Sequence, residues 1–104
     1  VDIVPTNATH IFTHESARLR DIVKVMMCYS NNFLAERLGD AIGGAYAVAQ
    51  VVQATTKVNP QEFFLQTSSG LGTNRVTPRA MMRLLRVFRL ELARHKMTFA
   101  DVMP

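Results

Sequence analysis

Between Thr77 and Lys96 the chain admits one regular structure. Thr77 offers a side-chain acceptor suited to a helix N-cap, and Pro78 stands at the first helical position, where its missing N–H leaves no bond unmade. Met81, Leu84, Leu85, Phe88 and Leu92 then fall on one side at helical spacing, with Arg79, Arg83, Arg86 and Arg94 on the other. An amphipathic surface helix of this length must lie against something, which the rest of the chain has to supply. With 48% hydrophobic residues, among them 6 Phe and 6 Met, the 104 residues can bury a core and are not a disordered tail. No repeat, low-complexity tract or linker divides them, so residues 1–104 are expected to form a single unit.

The remaining pattern is also mostly helical. Residues 9–14 are a short β-compatible stretch, after which Ser16 fits an N-cap. Leu19, Ile22, Val23, Met26 and Met27 follow at helical spacing to Cys28 or Tyr29. A second helix restarts at Asn31 or Asn32 and runs through Phe33, Leu34, Leu38, Ala41 and Ile42 to the Gly43-Gly44 pair. A third spans residues 45–56, apolar on most sides and hence expected to be buried, with Asn59-Pro60 as the breaker. Residues 62–67 read as a strand, followed by a loop over 68–74 whose glycines permit positive φ.

Several function classes are weakened by what the chain carries. Its net charge of +4 invites phosphate binding, but Arg and Lys commonly solvate an outer helix face, and no nucleic-acid motif or aromatic-basic interleaving is present. His10 and His14 are spaced i, i+4 in an extended segment without the Glu of a zinc-protease helix, and His95 suits a helix C-terminus. Cys28 is alone, which excludes an intrachain disulfide and reads as a free buried thiol. The Met pairs read as core filler. No apolar run approaches the roughly 20 residues that span a bilayer. Residues 1–5 show neither an initiator Met nor a signal-peptide pattern, and the start of the protein is expected upstream.

Tyr29-Ser30-Asn31-Asn32-Phe33 lies at the junction of the first two helices. Ser and Asn there are ordinary capping residues, and equally short polar groups able to face a cleft. Glu36, the nearest carboxylate, reads as a solvated or ion-paired helix residue. The second polar segment is Ser68-Ser69-Gly70-Leu71-Gly72, before Asn74-Arg75-Val76-Thr77-Pro78.

Taken together, these phrases resemble the D-alanyl-D-alanine carboxypeptidase and endopeptidase family of low-molecular-mass penicillin-binding proteins, class C or peptidase S13 type. That family carries Ser-x-Asn inside a phrase similar to Tyr-Ser-Asn-Asn-Phe-x-Ala-Glu, which falls here on Ser30, Asn31 and Asn32. It carries Asp-Gly-Ser-Gly-Leu-Ser before Asn-Arg-Val-Thr-Pro, where this chain has Thr67-Ser68 in place of Asp-Gly. The implied fold class is mainly α with a short β element, an internal fragment of the α/β serine β-lactamase and penicillin-binding-protein transpeptidase-like fold.

The implied chemistry is acyl transfer through a serine ester, needing Ser-x-x-Lys, Ser-x-Asn and Lys-Thr-Gly together. Only Ser-x-Asn is present, so the nucleophile is expected upstream of Val1 and Lys-Thr-Gly downstream of Pro104. By this resemblance Ser30 and Asn32 are catalytic, with Asn31, Ser69 and Gly70 binding substrate or supporting the site. The partners of the intact enzyme are a peptidoglycan stem peptide and β-lactams, without metal or organic cofactor, in the bacterial periplasm or cell envelope. Apolar faces separated from their neighbours favour self-association of the fragment. A reading of another class is a non-catalytic helical module binding a protein or an anionic polymer.

Overall fold

The computed structural model describes residues 3–104. Four helices of eleven residues or more lie in it: α1 (Leu19–Tyr29), α2 (Asn32–Ile42), α3 (Ala45–Thr56) and α4 (Pro78–Arg94), with a single-turn α5 (Phe99–Val102). Two short strands, β1 (Phe63–Phe64) and β2 (Arg75–Val76), pair antiparallel with Phe63 opposite Val76 and Phe64 opposite Arg75. The architecture is thus mainly helical with a two-stranded sheet, as the pattern implies.

Local signals set most helix ends. Asn31 Oδ1 accepts from the Leu34 amide at 3.0 Å and starts α2, and Gly43, at φ 125°, ends it. Thr77 Oγ1 accepts from the Ala80 amide at 3.1 Å and starts α4. The same hydroxyl lies 3.3 Å from Glu62 Oε1, which also takes the Arg79 guanidinium at 2.8 Å, so one cap ties α4 to the strand hairpin. Thr77→Ala is expected to cost about 1 kcal/mol in a urea unfolding curve, the usual worth of a cap; an unchanged midpoint would refute the capping role.

Four expectations fail. Residues 9–14 form no strand: Ile11 is 88% exposed and Phe12 75%, and no second strand lies alongside them among the described residues. Ser16 does not cap α1. The helix starts two residues later behind Arg18, whose Nε bonds Asp21 at 3.0 Å, and Asp21 places a negative charge in the first turn. Cys28 is exposed rather than buried: it lies in the last turn of α1, where its neighbours Met27 and Tyr29 are exposed as well. α3 is not buried either: Ala49 and Val52 pack against the core and α2 and α4 lie alongside, yet Tyr46 is 76% and Val51 57% exposed.

The expected strand 62–67 shrinks to two residues because Pro60–Glu62 forms a 3₁₀ turn capped by Asn59, and the Gln66 amide donates to Asn74 Oδ1 in place of a ladder bond. Core formation is correspondingly modest. Val58, Phe63 and Ala80 are buried together, surrounded by Ala49, Val52, Leu65 and Leu84. Extents of 54 × 28 × 25 Å and a radius of gyration of 16.7 Å, against about 13 Å for a compact chain of 100 residues, describe an open arrangement.

At the other end Phe88 meets Phe99 at 5.8 Å between ring centroids, and Leu92 and Val102 are buried. Lys24 of α1 donates to the carbonyls of Ala100, at 2.7 Å, and Met103, joining α1 to α5. Two arginines of the supposed solvated face of α4 are structural ties. Arg79 pairs with Glu62, and Arg83 donates to the Thr56 carbonyl at the end of α3, where a cation meets the negative end of the helix.

Candidate active site

The polar triplet occupies the turn between α1 and α2, and its three residues have different positions. Ser30 is exposed and closes α1 with φ 52° and ψ 50°, a left-handed conformation that costs a non-glycine residue about 1 kcal/mol. Asn31 is the cap of α2. Asn32, at the first helical position, is half-buried, and its side chain is not needed to satisfy the helix end because Asn31 already does so.

Loop 65–74 is organised by a residue whose role the sequence did not disclose. Asn74 Oδ1 accepts from the amides of Gln66 at 2.8 Å and Thr67 at 3.2 Å, while its Nδ2 donates to the Leu71 carbonyl at 3.0 Å. Thr67 Oγ1 donates to that carbonyl too, at 2.5 Å, so the residue standing where the resembled family has Asp still serves the turn. Gly70 and Gly72 adopt φ of 92° and 86°, which the bend requires of them. Ser69 Oγ accepts from the Leu71 amide at 3.3 Å.

Two contacts bring this loop onto α2. Glu36 Oε1 accepts from the Ser69 amide at 2.7 Å, across 33 residues of sequence. One turn further along, Gly39 is buried and faces Ser68, and a β-carbon at Gly39 would overlap Ser68 Oγ and Cβ. Ser68 Oγ is itself buried without a hydrogen-bond partner. The Ser69 hydroxyl foremost, then the Ser69 and Ser68 amides, hold the Glu36 carboxyl below its ordinary value. Glu36 is therefore neither simply solvated nor in an ordinary ion pair. Its neighbour Arg37 instead pairs with Asp40 at 2.7 Å and lies 5.3 Å over the Phe33 ring.

Asn32 and Glu36 are four residues apart on one face of α2, about 6 Å along its axis. Ser69 thus meets α2 through a side chain rooted one helical turn beyond the triplet's last residue. That spacing was available in the sequence as the signal for Glu36, but nothing local pointed to Ser69 as its partner. His10 lies elsewhere, its Nε2 2.9 Å from Thr13 Oγ1, and His95 Nε2 lies 3.6 Å from Glu91 Oε1 at the end of α4. A basic cleft of about 690 Å³ beside Lys57, Arg79, Arg83 and Arg86 includes no residue of the two polar segments.

No helix among the described residues is long and apolar enough to cross a membrane. No curated protein sequence matches the chain. Among solved structures, it is similar to a predatory endopeptidase from Bdellovibrio bacteriovorus in complex with an immunity protein, with a TM-score of 0.75 and 26% identity over 95% of this chain. The match spans 28% of that protein's chain, so the residues described here correspond to little more than a quarter of it. The family model described as D-Ala-D-Ala carboxypeptidase 3 (S13) matches residues 2–104. That match takes in the triplet, the loop and α4 alike, and the chain belongs to the D-Ala-D-Ala carboxypeptidase 3 (S13) family.

Proposed function

We propose that the chain supplies the middle active-site motif of a serine-type D-Ala-D-Ala carboxypeptidase that acts on peptidoglycan stem peptides. Residues 1–104 are one unit within a larger transpeptidase-like domain, and the nucleophile with its Lys and the Lys-Thr-Gly strand come from outside them. The observation that carries the reading is the Glu36–Ser69 contact, which seats the Ser-Gly-Leu-Gly loop beside the helix that begins with Asn32. The family match over residues 2–104 supplies the chemistry those two polar segments would share.

In this reaction the activated serine attacks the carbonyl carbon between the two D-Ala residues, and a lysine takes its proton. The tetrahedral intermediate collapses to an ester as the C–N bond breaks, releasing D-Ala, and water then hydrolyses the ester. Ser30 relays a proton to the departing amine. Asn32 can donate from its amide nitrogen to a substrate carbonyl and accept at its amide oxygen from the lysine, a two-sided arrangement that orients both. Asn31 supports the turn as a cap, and Ser69 and Gly70 shape the facing wall.

β-Lactams acylate the same serine, no metal or organic cofactor takes part, and the substrate places the protein in the bacterial periplasm or cell envelope. The immunity protein bound to the similar endopeptidase supports a protein partner as well. Apolar exposure of α1 and α3, the feature that would favour an interaction module, is equally what an enzyme segment set among other elements would display.

Incubating the full-length protein with a fluorescent penicillin and mapping the adduct by mass spectrometry tests this directly. The label is expected on a serine three residues before a lysine, outside residues 1–104, together with D-Ala release from a pentapeptide stem. An adduct on Ser30, or no adduct and no D-Ala release, would overturn the assignment.

A further inference from the structure

We infer that Glu36 is a positioning residue: its carboxylate locks the Ser69-Gly70 loop onto the helix that begins at Asn32, so that the two polar segments of the site move as one body. The inference rests on the reading of Ser30-Asn31-Asn32 as an active-site motif. Glu36 lies one helical turn from Asn32 on the same face, and its Oε1 accepts the Ser69 amide at 2.7 Å. The loop is otherwise braced from within, by Asn74 on the Gln66 and Thr67 amides and by Thr67 on the Leu71 carbonyl.

Competing uses of the carboxylate are taken up elsewhere. Arg37, next in sequence, spends its guanidinium on Asp40 and the Phe33 ring. Hydrogen bonds from Ser69 and Ser68 favour the ionised form, which makes Glu36 a steady acceptor and a poor proton carrier. Gly39, one turn beyond, lets Ser68 settle against the helix, so the carboxylate clamps a loop that already fits. Without the clamp the loop keeps its internal bonds but loses its fixed height along α2. A wall displaced by about 1 Å from the reacting groups can slow a reaction by up to about 100-fold.

The test is acylation of the full-length protein by a chromogenic β-lactam, with Glu36→Ala, Glu36→Gln and Asn32→Ala measured side by side. Glu36→Ala is expected to lower the acylation rate at saturation by about 10-fold or more, with the half-saturating concentration within about threefold of wild type. Glu36→Gln retains an amide oxygen at the same reach and is expected to restore the rate to within about threefold. A wild-type rate in Glu36→Ala with a slowed Asn32→Ala would overturn the role of Glu36 alone. Wild-type rates in both would overturn the motif reading beneath it. Loss of rate in Glu36→Gln at an unchanged melting temperature would also overturn the clamp, since charge and not an acceptor would then matter.

Should Glu36→Ala not fold, Glu36→Asp replaces it, with hydrogen exchange of the peptide covering residues 66–74 as the readout. The shortened side chain is expected to speed exchange at the Ser69 amide as well as slow acylation, and exchange as slow as in the wild type would refute the clamp.

Discussion

Asn32→Ala is expected to slow acylation of the full-length protein by about 100-fold, a loss of about 2.7 kcal/mol of transition-state stabilisation. Alanine removes a donor and an acceptor together, and a group that orients both substrate and base loses both functions at once. Stability is expected to change little, because the helix end is satisfied by Asn31 Oδ1 on the Leu34 amide and not by Asn32. Asn31→Ala should show the reverse pattern, costing about 1 kcal/mol of stability through loss of the cap while leaving most of the rate. Stopped-flow acylation combined with urea unfolding separates the two. Rates within about threefold of wild type for Asn32→Ala would remove it from the catalytic machinery.

Gly39→Ala is expected to destabilise the fold by about 1–3 kcal/mol, although Gly to Ala within a helix ordinarily stabilises by about 1 kcal/mol. The sign reverses because the added β-carbon would overlap Ser68 Oγ and Cβ. Relief should come from the partner: Ser68→Gly deletes both overlapping atoms, and with them a buried hydroxyl that has no hydrogen-bond partner. The double variant is therefore expected to recover most of the loss, leaving a coupling energy of about 1–2 kcal/mol between the positions in a double-mutant cycle. Additive effects in urea unfolding would show that the loop does not rest on α2 at Gly39.

What could be read from the sequence was whatever its residues decide locally. The start of α4 at Thr77-Pro78, the end of α2 at Gly43 and the extent of α3 follow from caps and breakers within a few residues of each boundary. β2 could not be read this way, since Arg75 and Val76 are extended only through pairing with Phe64 and Phe63. Exposure of Cys28 and of α3 depends on which neighbours reach them, which helical periodicity does not say. α5 did have a local signal, Thr98 three residues before Asp101, and the Thr98 amide donates to Asp101 Oδ2 at 2.8 Å. In the candidate site, the Ser-x-Asn turn and the glycine loop were both visible as polar segments. Their juxtaposition was not, because it depends on one carboxylate meeting one amide 33 residues away.

α1 and α5 are held together by the Lys24 amino group although 76 residues separate it from Ala100. The path from Leu19 to Met103 is thus nearly a closed circuit that departs and returns at the same corner. Closing so long a circuit carries an entropic penalty that grows only logarithmically with its length, so one well-placed amino group can help to hold it shut. Ser30, Asn32 and the Ser69 loop all lie inside that circuit, on a stretch of chain whose two ends are pinned to each other.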